Sequence, residues 1–214
     1  METWAVVVAG GSGTRFGRPK QLAMLSGRRV IDRSVDAVRP HCTGVVVVGS
    51  ADIGTAESLG VAAVAPPGAT RSESVRSGLA ALSDTATHVL IHDAARPLVP
   101  GSVVVAVVDA LTAGAKAVVP VTPVTDTLRV VSGGTVDRSR FVAVQTPQGF
   151  ELATLTAAHT DGVDATDDAA VIERTGTKVV HVDGSPTNLK ITFPHDLAIA
   201  AALLESAATA GERS

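Results

Sequence analysis

The sequence predicts an α/β protein: a single Rossmann-like, mostly parallel twisted sheet with helices on both faces, plus a protruding β-hairpin arm. Short valine-rich runs recur along the 214 residues with helix-like stretches between them. Most of these runs are continuously apolar rather than alternating, as strands covered on both faces are. With 45% hydrophobic and 18% charged residues, the chain has enough apolar surface to offset the entropy of folding. The length suits one domain of about 100–200 residues, so residues 1–214 are expected to fold as a unit, with no second domain fused.

In chain order, strands are predicted at residues 4–9, 45–48, 61–65, 88–91, 116–120 and 178–182. Helices are predicted at 30–39, 71–82, 102–113, 167–175 and 195–206, and the tail after Ala207 reads as loosely held. One stretch breaks the alternation. Residues 126–131 and 135–138 flank Ser132-Gly133-Gly134 and read as two short strands around a turn, an arm at about 126–140. Isolated hairpins are marginal in water, so this arm is expected to lie on a partner subunit and the protein to be a homodimer.

Composition excludes several function classes. A net charge of -3 gives no general attraction to nucleic acid or anionic lipid. Aromatics are 2% of the chain, with no tyrosine, so stacking platforms for single strands are lacking. The single cysteine, Cys42, has no internal partner and no metal-ligand spacing around it, which suits a reducing compartment. No apolar run approaches the ~20 residues that span a bilayer. The expectation is a cytoplasmic protein with no nucleic-acid or membrane partner.

The first strand runs into Gly10-Gly11-Ser12-Gly13-Thr14-Arg15-Phe16-Gly17-Arg18-Pro19-Lys20-Gln21. Glycines let backbone N–H groups approach an anion, and Arg15 and Lys20 add positive charge. The segment lacks the Gly-Lys-Ser/Thr ending of a Walker loop, and the spacing of Gly11, Gly13 and Gly17 misses the dinucleotide fingerprint. The histidines are scattered, none beside a nucleophile in a recognisable arrangement, so hydrolase chemistry has no support. His92-Asp93-Ala94-Ala95-Arg96-Pro97 follows the strand at 88–91, where open α/β sheets place ligands. Asp93 offers a hard oxygen suited to Mg²⁺, or an Asp of the kind that caps helices. Arg96 could meet a phosphate or brace its own loop. Thr166-Asp167-Asp168 reads as an acidic helix start, which the dipole favours.

Taken together, the Gly10–Gln21 loop, Arg71-Ser72-Glu73-Ser74-Val75, the Asp93 segment, Gln145-Thr146-Pro147-Gln148 and Asn188-Leu189-Lys190-Ile191-Thr192 resemble the 2-C-methyl-D-erythritol 4-phosphate cytidylyltransferase family. These are nucleotidyltransferases that activate sugar alcohols. The resemblance spans nearly the whole chain. It implies CTP and a sugar-alcohol phosphate as reactants, Mg²⁺ as cofactor, and Arg15, Lys20 and Lys190 as catalytic cations. It further implies a CTP site of Ala9, Gly10, Gly11, Gly13, Gly68, Ala69 and Ser74, with Asp93 as metal ligand. The acceptor would meet Asp93, Arg96, Thr127, Arg138 and Thr146, with Thr127 and Arg138 crossing from the other subunit. Arg71 reads better as a loop brace.

Two departures from the family pattern stand out. Only four residues separate Arg15 from Lys20, fewer than in many members, and Thr187 stands where an acidic residue is frequent. Ribitol 5-phosphate is the alternative acceptor. A catalytically inactive nucleotide-binding protein is the alternative of a different class.

Overall fold

Branched side chains suit a pleated surface and crowd a helix, and the valine runs form the central strands. The structure, a computed structural model, describes residues 1–10, 16–17, 19–160, 164–165 and 167–211. Its first half contains β1 (Thr3–Val8), β2 (Met24–Leu25), β3 (Arg28–Arg29), α1 (Val30–Val38), β4 (Gly44–Val48), α2 (Ala56–Leu59), β5 (Ala63–Ala65), α3 (Arg71–Ala80) and β6 (His88–Asp93). Its second half contains α4 (Gly101–Thr112), β7 (Ala117–Pro123), β8 (Val142–Val144), β9 (Gln148–Glu151), α5 (Leu152–Ala158), α6 (Asp168–Glu173), β10 (Val180–Asp183) and α7 (Asp196–Gly211).

Among the described residues the main sheet runs β10-β7-β9-β6-β1-β4-β5, with β8 added beside β7. The pairs β1–β4, β1–β6, β4–β5 and β7–β10 are parallel, whereas β9 is antiparallel to both of its neighbours. The chain moves outward from β1 through β4 to β5, then returns to place β6 on β1's other side. The crevice at such a reversal is where α/β sheets bind ligands, beyond the carboxyl ends of the strands.

Side-chain alternation divides the core between two faces. Ala5, Val7, Val45, Val47 and Leu90 pack with Ile31 and Val35 of α1 and with Val103, Val104 and Val107 of α4. Val6, Val46, Val89, Ile91 and Phe150 face the other way, onto Val75 of α3, Leu155 of α5 and Ile172 of α6. Each buried Val, Leu, Ile or Phe among these contributes about 1.5–3 kcal/mol relative to exposure. Gly44, paired with Trp4, leaves room for that indole: a Cβ there would meet a ring carbon at 2.5 Å.

Several elements differ from expectation. β9 was not anticipated, because Gln-Gly-Phe-Glu has none of the valine density that marks the other strands. The short β2–β3 pair, α2, β8 and α5 were likewise unmarked, and α7 continues through Ala207 to Gly211. The arm's hairpin is paired over a shorter length than expected. Gly133 and Gly134 turn the chain at positive φ, but only the Arg129–Thr135 bridge forms, flanked by Val130 N–H to the Gly134 carbonyl at 3.0 Å and Val136 N–H to the Leu128 carbonyl at 3.1 Å. Flanks this short, with Val130 and Val131 exposed, bury too little to extend a ladder.

Candidate active site

A cleft of about 380 Å³ opens at the carboxyl ends of β1 and β6. Ala9, Gly10, Gly68, Ala69, Ser74, Asp93, Lys20 and Lys190 all line it, joined by Gln21, Thr70 and Arg71. The structure thus gathers four separate sequence segments at one place. Gly11, Gly13 and Arg15, expected here too, lie outside the described residues.

The loop before α3 is held by a capping box. Thr70 Oγ1 accepts the Glu73 N–H at 3.2 Å, while the Glu73 carboxylate accepts from Thr70 N at 3.2 Å and Ala69 N at 2.6 Å. Ser74, buried, has its hydroxyl engaged by Gly68 N at 3.0 Å and by the Thr70 carbonyl at 3.0 Å. It therefore shapes the Gly68–Ala69 wall of the cleft. A Cβ on Gly68 would stand 2.2 Å from Glu73 Cβ, so this tight approach needs glycine.

Asp93 ends β6 and caps no helix, since α4 begins only at Gly101. Lys190 Nζ donates to Asp93 Oδ2 at 2.7 Å, Arg96 Nε lies 3.7 Å from the same oxygen, and Arg71 Nε lies 3.9 Å from Oδ1. Burial alone would push the Asp93 carboxyl up, but Lys190, Arg71 and Arg96 together hold it well below the usual carboxylate range. It is ionised at any working pH. Lys20, which follows the glycine loop, donates from Nζ to the Ile191 carbonyl at 2.8 Å and so lies beside the Lys190 segment.

Arg96 sits behind this carboxylate rather than in the cleft. Its Nη1 donates to the Asn188 carbonyl at 2.7 Å, bracing the segment that carries Lys190. Thr146 is also buried and outside the cleft lining; its Oγ1 accepts the Asp93 N–H at 3.0 Å. Thr127 and Arg138 are exposed on the arm, where the Arg138 guanidinium donates to the Thr125 carbonyl. Because β6 and β7 are both antiparallel to β9, they run the same way, and the arm leaves the sheet at the end where Asp93 lies.

The two acids at the start of α6 have different partners. Asp167 does cap α6, accepting from Ala169 N at 3.3 Å, but Asp168 is no part of a cap. Almost fully buried, Asp168 accepts from Arg71 Nη1 at 2.6 Å and lies 3.2 Å from His159 Nε2. This pair braces Arg71 against the cleft floor, across 97 residues of chain. A cap needs one acid, and the second of two consecutive acids was the available signal. Thr187, exposed, bonds Ser185 through its hydroxyl at 2.8 Å.

A mostly parallel sheet whose strand ends carry a capped loop and paired cations around one buried carboxylate suits a nucleotidyltransferase, and comparison with known proteins bears this out. The sequence profile of IspD, 2-C-methyl-D-erythritol 4-phosphate cytidylyltransferase, matches residues 3–206, and the chain belongs to that family. It is 44% identical to the 2-C-methyl-D-erythritol 4-phosphate cytidylyltransferase of Rhodococcus jostii, over 95% of this chain and 96% of that one. It is 42% identical to a bifunctional enzyme IspD/IspF of Solidesulfovibrio magneticus, of which it covers 58%. The crystal structure of the Thermus thermophilus 2-C-methyl-D-erythritol 4-phosphate cytidylyltransferase superposes with a TM-score of 0.84 at 36% identity, over 95% of this chain and 98% of that one.

Proposed function

We propose that this enzyme transfers the cytidylyl group of CTP to 2-C-methyl-D-erythritol 4-phosphate and releases pyrophosphate. The observation that carries the reading is the cleft floor, where motifs of the family converge on an ionised Asp93 paired with Lys190 and flanked by Lys20. An oxygen of the acceptor's phosphate attacks the α-phosphorus of CTP in line. The bond from that phosphorus to the β-phosphate's bridging oxygen breaks, and its electron pair leaves with pyrophosphate. Both reactants are anions, so the chain's work is alignment and charge neutralisation. Lys20 and Lys190 supply ammonium groups at the floor, together with Arg15 on family resemblance. The small residues Ala9, Gly10, Gly68 and Ala69 form a wall where backbone groups can meet a pyrimidine, and a purine would need more room.

Mg²⁺ suits this floor. Asp93 is a hard, ionised oxygen donor facing the cleft, and Mg²⁺ takes one or two carboxylates and fills its other positions with phosphate oxygens and water. Among the described residues no cluster of three or more His, Cys, Asp or Glu forms a protein cage, which fits an ion shared with the nucleotide. When bound, it would neutralise phosphate charge as the α-phosphorus is attacked.

The proposal includes a homodimer in which the arm carries Thr127 and Arg138 to the neighbour's cleft. Supporting it are the arm's exit at the cleft end of the sheet and the exposure of Val130, Val131, Phe141, Val142 and Val144 around it. Among the described residues no helix is long and apolar enough to cross a membrane; we place the enzyme in the cytoplasm. The test is a pyrophosphate-release assay crossing CTP, ATP and GTP with 2-C-methyl-D-erythritol 4-phosphate and ribitol 5-phosphate. Turnover should be fastest with CTP and the methylerythritol phosphate. Equal rates with ATP would overturn the cytidylyl assignment, faster turnover with ribitol 5-phosphate would reassign the acceptor, and no pyrophosphate at all would leave only a binding protein.

A further inference from the structure

His92 is fully buried one residue before Asp93, and the reaction as described makes no use of it. Both ring nitrogens are engaged: Nδ1 lies 3.1 Å from Thr146 Oγ1 and Nε2 lies 3.1 Å from the Arg96 carbonyl oxygen. A carbonyl can only accept, so Nε2 must carry a hydrogen and donate it. Both nitrogens face uncharged partners, a hydroxyl and a carbonyl, so a charged ring would be buried unpaired; with the hydrogen on Nε2, Nδ1 is bare. The Thr146 hydroxyl then donates to Nδ1 while its oxygen accepts the Asp93 N–H at 3.0 Å. A closed chain of hydrogen bonds results, running from Asp93 N–H through Thr146 and His92 to the Arg96 carbonyl. It clasps both ends of a turn that is itself closed by Arg96 N–H to the Asp93 carbonyl at 3.0 Å.

The turn has work to do because Asp93 faces three competing cations, Lys190, Arg96 and Arg71, at 2.7, 3.7 and 3.9 Å. A carboxylate pulled from several sides keeps one position only if its backbone is fixed. We propose that His92 is a positioning residue for the transfer reaction, its Nε2–H tautomer tying Thr146 to the Arg96 carbonyl and so fixing the turn that aims Asp93 into the cleft. The proposal rests on Asp93 acting in that cleft. Misplacing a reacting group by ~1 Å costs on the order of 10²-fold in rate.

His92→Phe keeps the ring and removes both bonds, Thr146→Val keeps the shape and removes the hydroxyl, and Thr146→Ser restores it. At a temperature where circular dichroism shows all three folded, His92→Phe and Thr146→Val should each lower kcat by about 10²-fold. The KM for CTP should stay within about threefold, the double variant should be scarcely worse than either single one, and Thr146→Ser should recover most of the loss. A merely structural role would instead give losses that follow thermal midpoint and add in the double variant. Nitrogen-15 NMR of the wild-type imidazole gives a readout independent of activity and of any variant's folding: Nδ1 should be bare and Nε2 protonated. An Nδ1–H tautomer, or a folded His92→Phe with near-normal kcat, overturns the proposal. Failure of the underlying reading would look different, with Asp93→Asn itself fully active.

Discussion

On the cleft floor both oxygens of Asp93 face cations and both oxygens of Asp168 face donor groups, whereas the arm of residues 126–138 closes on a single bridge and turns Val130 and Val131 outward. The floor is assembled from residues far apart in sequence, Arg71 with Asp168 and Asp93 with Lys190, each pair separated by 97 positions. The arm's hydrogen bonds are nearly all local. Charges removed from water must be paired or they destabilise the fold, and the floor's charges are paired within one chain. The arm has no comparable internal constraint, and its order depends on what its apolar side chains meet. In the proposed homodimer, one chain would prepare the triphosphate site alone, and the acceptor side would be completed by the second chain's arm.

The sharpest way to break this contrast is Asp93→Asn, which keeps the side chain's shape and removes the charge. Pyrophosphate release should fall by about 10³-fold with an unchanged circular dichroism spectrum. A near-normal rate at low Mg²⁺ would mean that the floor's charge balance serves structure alone. Next in size, Asp168→Asn should lower stability by about 3 kcal/mol in urea denaturation, because it leaves the Arg71 guanidinium partly buried without its carboxylate. A shift below about 0.5 kcal/mol would show that water substitutes for the pair.

The arm should respond more weakly and selectively. Arg138→Ala is expected to raise the KM for the acceptor about tenfold while leaving that for CTP little changed, whereas Lys20→Ala should cripple turnover. Mixed dimers of these two variants should then regain up to about half the activity of a wild-type dimer, since both lesions fall in one site and the other is intact. Mixed dimers that form without recovery would return Arg138 to its own subunit. Smallest of all, Phe141→Ser should weaken dimerisation several-fold in sedimentation equilibrium without changing the thermal midpoint of dilute protein. If that midpoint falls, Phe141 packs within its own chain.

Much of this was legible in advance, for identifiable reasons. Continuous apolar runs announced β1, β4, β6 and β7 because buried parallel strands must be apolar on both faces. β9 escaped notice because Phe150 is its only large apolar residue, set among Gln148, Gly149 and Glu151, which make no apolar run. The cleft residues after β1, β5, β6 and β10 could be named from glycines, charges and family resemblance, since the ends of parallel strands are where ligands go. The contacts made by Arg96, Thr146 and Asp168 could not. Arg and Thr look the same in sequence whether they touch a substrate or a backbone carbonyl, and Asp caps helices far more often than it braces a distant arginine.

By itself the sequence determined the valine-rich and other apolar strands, the family and the identity of most groups that gather at the cleft, because propensity, periodicity and local motifs are properties of neighbouring residues. Only the tertiary structure decided which of those groups face the cleft and which stand behind it. That division depends on pairings such as Arg71 with Asp168 and His92 with Thr146, and these exist only once β6, β9, α3 and α6 have packed. A hydrogen bond needs its partner within about 3 Å, and no spacing along the chain specifies which distant residue will arrive there.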